Sequence, residues 1–576
     1  MFKSKNLTDW ETLDALTMHP ITSSELLEFN PIKHKLFSGD MFTYNAAEDA
    51  VTIVYSTIRS LSHIPGVLIL NNDKTYGKEK GKTLFKCVPD DRRLPAFLVP
   101  YEIKHIGFSK VNVNLYVIFR FNNWDAKHPR GTLSNTLGPI NVLDNFYEYQ
   151  LYCKSLNASI QQFNKTTIQA LNGYNFKDYD TIIDSICLKK SIQDRTHIPV
   201  MSIDPADCRD FDDAFSVQKR GEDTLVSIYI ANVTILLDEL NLWTSFTNRI
   251  ATIYLPDRKR PMLPTILSDC LCSLQSGKRR FAFAMDICLD EQYNVKEITY
   301  TNCTVCLTKN YTYEESELVR NSDYLLLRKI VTGLNNSHRH LRQIKDSHDV
   351  VCYLMIFMNH HCAMNLLQYN NGIFRSAIVQ DSQAGTVYPD SLPDNVLTFI
   401  KMWNNTCSQY LDITKNQITR HDVLELNAYT HITSPIRRLV DLLNILRFQK
   451  NHSLVQLSAQ ADEFYDNWIN EMDYINTTMR SIKKIQTECS LLNMCTNDEQ
   501  TMSRLYEGYC FDKLPRRDGL FQYNVFLPEL KLATKMVVHA DYANFAKHHY
   551  KLVLFHDEEH IKQKIRIQVV DVDESV

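Results

Sequence analysis

Between Phe37 and Phe121 short apolar runs alternate with polar residues and break at turn residues. Val111, Val113, Leu115, Val117, Phe119 and Phe121 recur every second position, the period of a strand with one face buried. Several such runs joined by Gly, Pro and Asn-Asp turns predict a small β-barrel. The segment Asp9–Leu16 has helix-like spacing, and residues 140–190 read as a mixed connector. Strand patterns return at Val200–Ile203, Ala214–Val217 and Leu225–Val233. From Ser322 to Lys450 the period changes to that of helices: Leu325–Leu327, Ile330, Leu334 and Leu341 mark one, and Val350–Leu367 another. Residues 455–495 are also helical in pattern, and 505–570 return to short strands. No apolar run reads as long enough to span a bilayer.

At 576 residues the chain exceeds what one core can hold, so several domains are expected. A net charge of −4 gives no global positive field, so any nucleic-acid site must be a local basic surface. The 15 cysteines are scattered rather than framed, which fits reduced thiols and a cytoplasmic (or nuclear) rather than secreted protein. The N-terminus has no apolar stretch of signal-peptide type.

The sharpest chemistry lies in Ser202-Ile203-Asp204-Pro205-Ala206-Asp207-Cys208-Arg209-Asp210-Phe211-Asp212-Asp213-Ala214. Two strand-like runs flank a connection dense in aspartate. Carboxylates held this close resist joint ionisation unless a cation sits among them. Their oxygens are hard ligands suited to Mg²⁺ or Mn²⁺, and about two such ions would balance four of them. A solvated acidic loop is the alternative reading; a calcium EF-hand fails for want of the central Gly and the twelfth-position Glu.

A second segment is Tyr429-Thr430-His431-Ile432-Thr433-Ser434-Pro435-Ile436-Arg437-Arg438. Ser434 suits an N-cap and Pro435 the first helical position, with Ile436, Leu439, Val440, Leu443 and Leu446 on one face. Two arginines in a helix first turn oppose its dipole, a mismatch that a bound phosphate would relieve. Arginines merely solvated on an amphipathic helix fit this spacing equally well.

Together these segments resemble the ribonuclease II / ribonuclease R family. The family's acidic signature is similar to Ser202–Ser216, and its arginine loop to Tyr429–Asp441. Tyr254-Leu255-Pro256-Asp257-Arg258-Lys259-Arg260-Pro261-Met262-Leu263-Pro264 resembles a third motif. The flanks look like cold-shock or OB modules of the eukaryotic exosome-nuclease branch, without its endonuclease domain. The resemblance implies an α+β multidomain protein in which OB-type barrels flank a catalytic domain of mixed sheet and helices. The expected divisions are 1–60 (truncated or remodelled first OB region), 61–145 (OB), 146–194 (connector), 195–500 (catalytic) and 501–576 (C-terminal RNA-binding OB).

What the family implies is processive 3′→5′ hydrolysis of single-stranded RNA with a free 3′ end, giving nucleoside 5′-monophosphates with Mg²⁺, for which Mn²⁺ can substitute. Asp204, Asp210 and Asp213 would hold the metal, Asp212 (beside Asp210) would orient the attacking water, and Arg437 would stabilise the phosphate. Tyr254, Arg437, Arg438, Ser434 and Arg280 would contact RNA, with Tyr254 stacking through its ring alone. A non-catalytic RNA-binding protein on the same fold is the rival, and a nuclease acting on DNA a further one.

Some positions depart from the family pattern. Asn232 stands where an aspartate is expected, Thr234 where a histidine is, and Tyr353 where an acidic residue is usual; the late helical residue near the RNA end is Gln486 or Glu488. Cys303-Thr304-Val305-Cys306 has zinc-knuckle spacing but lies on a strand-like stretch without a second pair, and His556–His560 matches a zinc-protease string by coincidence. No phosphate-binding loop of the ATPase type is present.

Overall fold

The computed structural model describes residues 1–4, 9–21, 29–72, 74–103, 112–172, 179–190, 192–378, 388–403, 408–557 and 561–570. It divides into two compact units: one of Met1–Asn157, Leu255–Asp257 and Lys484–Val576, the other of Ala158–Tyr254 and Arg258–Lys483. The class is α+β, as the resemblance implies.

The first unit holds the β modules. Strands Ile64–Leu68, Lys82–Pro89, Phe97–Tyr101, Leu115–Asn123 and Arg130–Pro139 form a sheet whose first strand pairs with both Leu115–Asn123 and Lys82–Pro89, which closes it into a barrel. Closure brings backbones together at Gly66, where a Cβ would stand 2.9 Å from the Val88 carbonyl oxygen. Leu68, Cys87, Phe97, Val99, Val117 and Phe119 fill the interior, the alternate positions of each strand. Val111 lies outside the described residues. Tyr506–Pro515, Phe521–Leu527, Leu532–Val538, Lys547–Asp557 and Lys562–Val570 make the second module, around Tyr506, Tyr523, Val525 and Tyr550. The first sixty residues hold small two-stranded sheets, and the helix expected at Asp9–Leu16 is instead a strand, Trp10–Thr12, paired with Phe2–Ser4. Trp10 there packs edge-on against Phe2, a sheet contact that outweighs local helical spacing.

The second unit is built on a seven-stranded mixed sheet. In chain order its strands are β1 (Gln193–Asp194), β2 (Met201–Asp204), β3 (Asp213–Arg220), β4 (Asp223–Ala231), β5 (Arg279–Leu289), β6 (Val295–Cys306) and β7 (Lys309–Thr312). Their spatial order is β1-β6-β5-β4-β3-β2-β7. Val226, Ile228 and Ile230 of β4, with Phe283, Met285 and Ile287 of β5, turn one face toward helices α1 (Ser322–Ser337), α2 (Ser347–Gln368) and α3 (Leu439–Asn451). The other face carries a buried polar pair, Arg195 and Asp286, joined at 2.8 and 2.6 Å with Ser227 donating to the same carboxylate at 2.6 Å. By length and hydropathy alone α2 could cross a membrane, contrary to the sequence reading, but its Val350, Leu354, Phe357 and Met358 are fully buried in this core. Asn232 and Thr234 do not face the acidic segment's side chains. They close a buried network with Asn302 and Gln449, Thr234 donating to Asn232 at 2.7 Å and to Gln449 at 2.9 Å.

Candidate active site

β2 ends at Asp204 and β3 begins at Asp213, so the connection between them carries its aspartates at one end of two neighbouring strands. Ser273 braces it, accepting from the Phe211 amide at 3.0 Å and donating to the Arg209 carbonyl at 2.9 Å, while the Leu274 amide donates to the Phe211 carbonyl at 3.0 Å. All four candidate aspartates are between 3% and 9% exposed. The solvated acidic loop is thereby excluded.

Burial without compensating charge disfavours carboxylates. It pushes Asp204 up to about 6, with the Asp210 charge adding to the effect and Arg437 opposing it. Burial pushes Asp212 up to about 7 against the pull of Arg437 and of the Ile436 amide. Asp213 is driven well above the carboxylate range by burial and then by Asp204 and Asp212.

The segment Tyr429–Arg438 reaches this cluster. Asp212 accepts from the Ile436 amide at 3.0 Å and from Arg437 Nε at 2.9 Å. Arg437 also donates to Ser434 Oγ at 3.0 Å. The helix does not start where the sequence predicts: α3 begins at Leu439, and Pro435–Arg437 form a turn before it. Asp441 accounts for the difference. From the first turn of α3 it accepts from the Ser434 amide at 2.8 Å, so Ser434 caps nothing and is itself held. Asn359 accepts from the Ile432 amide at 2.9 Å, and Asn444 donates to Thr430 Oγ1 at 2.6 Å and the His431 carbonyl at 3.0 Å. Arg438 is the N-cap residue of α3, so its charge still stands at the positive end of the helix, where Asp441 answers it, and a web of buried side chains fixes the loop.

Arg438 is tied into this loop with its side chain 21% exposed: it donates to Asp441 at 2.9 Å and contacts His431 Nδ1 at 3.3 Å. Arg280 is 3% exposed and its guanidinium donates to the Ser273 carbonyl at 3.0 Å and the Arg279 carbonyl at 2.6 Å. It thus supports the turn that braces the acidic loop, and is not an RNA-facing residue.

Tyr254 stands at the cluster, 41% exposed, and is no core residue. Its strand Ile253–Tyr254 pairs with Lys259–Arg260, and the preceding residues lie along the arginine loop, with the Thr252 amide donating to the Arg437 carbonyl at 3.0 Å. The Tyr254 hydroxyl donates to Asp210 Oδ2 at 2.8 Å, a role beyond ring stacking. Opposite it, Lys259 Nζ reaches Asp210 Oδ1 at 3.2 Å and Asp269 Oδ1 at 2.9 Å. Sequence reasoning quoted Lys259 within a motif and gave it no role; a lysine five residues from Tyr254 across a tight hairpin was the available signal. Tyr313 was missed as well. It is pushed above its ordinary value by burial and by the nearby charges of Asp213 and Asp204.

Among the described residues no three His, Cys, Asp or Glu side chains gather into a finished metal cage. The donor set nevertheless fits a hard divalent ion. Asp204 Oδ2 and Asp213 Oδ2 are buried with no hydrogen-bond partner, a costly condition that a cation would relieve. Cys303 is buried in β6, its Sγ near the Ala282 carbonyl, and the strand period sends Cys306 to the opposite face. Of the His556–His560 string, residues 558–560 lie outside the described residues.

Residues 192–349 match the RNB domain model. The chain carries an RNB domain. The resemblance read from the sequence therefore holds. Ribonuclease R of Mycoplasmopsis pulmonis is 36% identical over 121 residues, 20% of this chain and 17% of that protein. Exosome complex exonuclease dis3 of Schizosaccharomyces pombe is 26% identical over 256 residues, 43% of this chain and 25% of that protein. The chain thus spans a quarter or less of the length of these two relatives. The apo form of Mycoplasma genitalium RNase R superposes with a TM-score of 0.67 at 16% identity, covering 98% of this chain and 99% of that one. The same protein is known in complex with ribose-methylated single-stranded RNA and with double-stranded RNA. Yeast Ssd1, a pseudonuclease, superposes with a TM-score of 0.58 at 15% identity, covering 84% of this chain and 66% of that one. At these identities the two structures speak to fold alone. Apart from Leu255–Asp257 the RNB match falls in the second unit; it takes in the acidic loop, Tyr254 and Lys259, but ends before Arg437.

Proposed function

We propose that the chain is a Mg²⁺-dependent 3′→5′ exoribonuclease that hydrolyses single-stranded RNA processively to nucleoside 5′-monophosphates. The observation that carries this reading is the pairing of Asp212 with Arg437 beside two buried carboxylate oxygens, on Asp204 and Asp213, that lack any partner. Clustered buried carboxylates next to a guanidinium are what phosphodiester hydrolysis needs: negative groups to gather a cation and a fork to receive the phosphate.

Asp204 and Asp213 would hold the divalent ion, with Asp210 adding charge from the side. Such an ion supplies Lewis acidity and lowers the pKa of its water. Asp212 accepts on both oxygens from the arginine loop, which fixes its carboxylate for orienting water. Arg437, with its side chain 42% exposed, can turn part of its guanidinium to the scissile phosphate without leaving Asp212. Tyr254 would stack on a base near the 3′ end while its hydroxyl steadies Asp210. The OB-type modules supply the kind of surface that binds single strands, and RNA with a free 3′ end is the partner expected.

The rival reading is a non-catalytic RNA-binding protein, and the shared fold of the pseudonuclease keeps it in view. Against it stand the four aspartates, all present and all buried around one spot. End-labelled RNA and DNA of equal sequence, incubated with the purified protein with and without Mg²⁺, separate the readings. Shortening of RNA only with Mg²⁺ supports the proposal; binding with no shortening supports the rival, and equal shortening of DNA removes the sugar selectivity.

A further inference from the structure

Four carboxylates in one buried place carry more negative charge than a protein interior tolerates. Two of the four are already compensated by side chains. Arg437 Nε lies 2.9 Å from Asp212, and Lys259 Nζ lies 3.2 Å from Asp210. The remaining two, Asp204 and Asp213, are the ones with a buried oxygen that nothing satisfies. With Asp269 on the same ammonium, five carboxylates (Asp204, Asp210, Asp212, Asp213 and Asp269) face two side-chain cations (Arg437 and Lys259), so a formal charge of −3 is left for divalent ions to answer and Lys259 compensates Asp210 only in part.

Lys259 is placed for this by construction. It is the cross-strand partner of Tyr254 in the two-residue ladder, and both side chains reach the Asp210 carboxylate, one to each oxygen. Its ammonium is also held by Asp269, at 2.9 Å, in the short π-helix Ile266–Leu271. Asp269 is in turn fixed by Ser268 Oγ at 2.6 Å. The lysine side chain is 22% exposed, so water screens the contact only in part.

We infer that Lys259 is a built-in counter-ion of the acidic site, which holds Asp210 and competes with divalent cations for its carboxylate. Asp269 sets how strongly it does so: by sharing the ammonium, it draws Lys259 partly off Asp210. Lys259 is then a positioning residue, and its effect on hydrolysis runs through the carboxylates. This rests on the metal-dependent reading above.

The two neighbours of the ammonium predict opposite effects, which a merely structural role would not give. In Lys259→Met the charge is gone and Asp210 is released to a cation. In Asp269→Asn the lysine falls wholly to Asp210 and competes harder. Mn²⁺ alone, titrated into the purified full chain, is followed by calorimetry and by the electron paramagnetic resonance of the bound ion. Lys259→Met should hold Mn²⁺ about tenfold more tightly than the wild type; Asp269→Asn should hold it about tenfold more weakly. Lys259→Arg should titrate like the wild type, and Lys259→Gln replaces the Met variant should that fail to fold.

Wild-type-like titration by both Met and Asn variants overturns the inference while leaving the metal site standing. So does weakening in both, which would mark a structural hairpin only. Absence of Mn²⁺ binding in the wild type and in Lys259→Met alike removes the metal-dependent reading, and this inference with it.

Discussion

Arg437 Nε stands 2.9 Å from Asp212 Oδ2, joining two segments that lie 225 residues apart in the chain. Neither side chain is in place without the other: the guanidinium compensates a carboxylate that is 3% exposed, and the carboxylate orients the fork. Asp212→Asn keeps the shape but sets an amide NH₂ or a neutral oxygen against Arg437. Turnover of RNA should fall by two or more orders of magnitude while RNA affinity stays within a few-fold. Single-turnover rates and filter binding check this; turnover near the wild-type rate would remove Asp212 from the chemistry.

Arg437→Lys tests the other partner. A lysine keeps the charge but cannot bond Asp212 and Ser434 together as the guanidinium does at 2.9 and 3.0 Å. The rate constant should drop roughly ten- to a hundredfold, with a modest loss of melting temperature. A variant as fast as the wild type would make Arg437 a passive charge.

The sequence made the four aspartates legible because they sit in one thirteen-residue stretch, and the β modules because their period of two is regular. The true start of α3 was not legible. Ser434-Pro435 is a good helix opening by local rules, but Asp441, Asn359 and Asn444 tie up the loop from elsewhere, and only tertiary structure shows their aim. The same holds for Lys259 and for the Tyr254 hydroxyl, both of which meet Asp210 across a fold. The burial of Arg280 and the ion pair of Arg438 with Asp441 were illegible for a related reason: a positive charge in a motif looks the same in sequence whether it faces solvent or braces a loop.

Two separable roles are proposed for Tyr254. Tyr254→Ala removes the ring, a loss of about 1–3 kcal/mol of stacking, and should leave a longer limit product while the early degradation of long RNA slows little. Tyr254→Phe keeps the ring but frees Asp210 Oδ2. Contrary to the expectation from stacking alone, it should keep the wild-type limit product yet slow the chemical step by several-fold. Product ladders and single-turnover rates decide; a Phe variant equal to the wild type in both would show the hydroxyl contact to be idle.

Protons and divalent ions should compete for the same oxygens. Asp204 and Asp212 are raised by burial to about 6 and about 7, so in the metal-free protein the folded state binds more protons than the unfolded one between the ordinary aspartate value of 3.8 and about 7. Their contribution to stability is thus lost as pH rises through that window. Mg²⁺ should raise the melting temperature little at pH 5 and progressively more toward pH 8, and Asp213→Asn should flatten this rise. A Mg²⁺ shift independent of pH would mean that the ion binds elsewhere.

The central claim is that this RNB domain hydrolyses RNA with a divalent ion held by its aspartates. The most direct measurement uses a single-stranded RNA labelled at its 5′ end, incubated with the purified chain in Mg²⁺, in EDTA, and in EDTA followed by excess Mg²⁺, with Asp212→Asn run in parallel. The account predicts a ladder shortening from the 3′ end with nucleoside 5′-monophosphates released in Mg²⁺, none in EDTA, recovery on adding the metal back, and almost none with the variant. Intact RNA in Mg²⁺, or degradation that persists in EDTA, would contradict it.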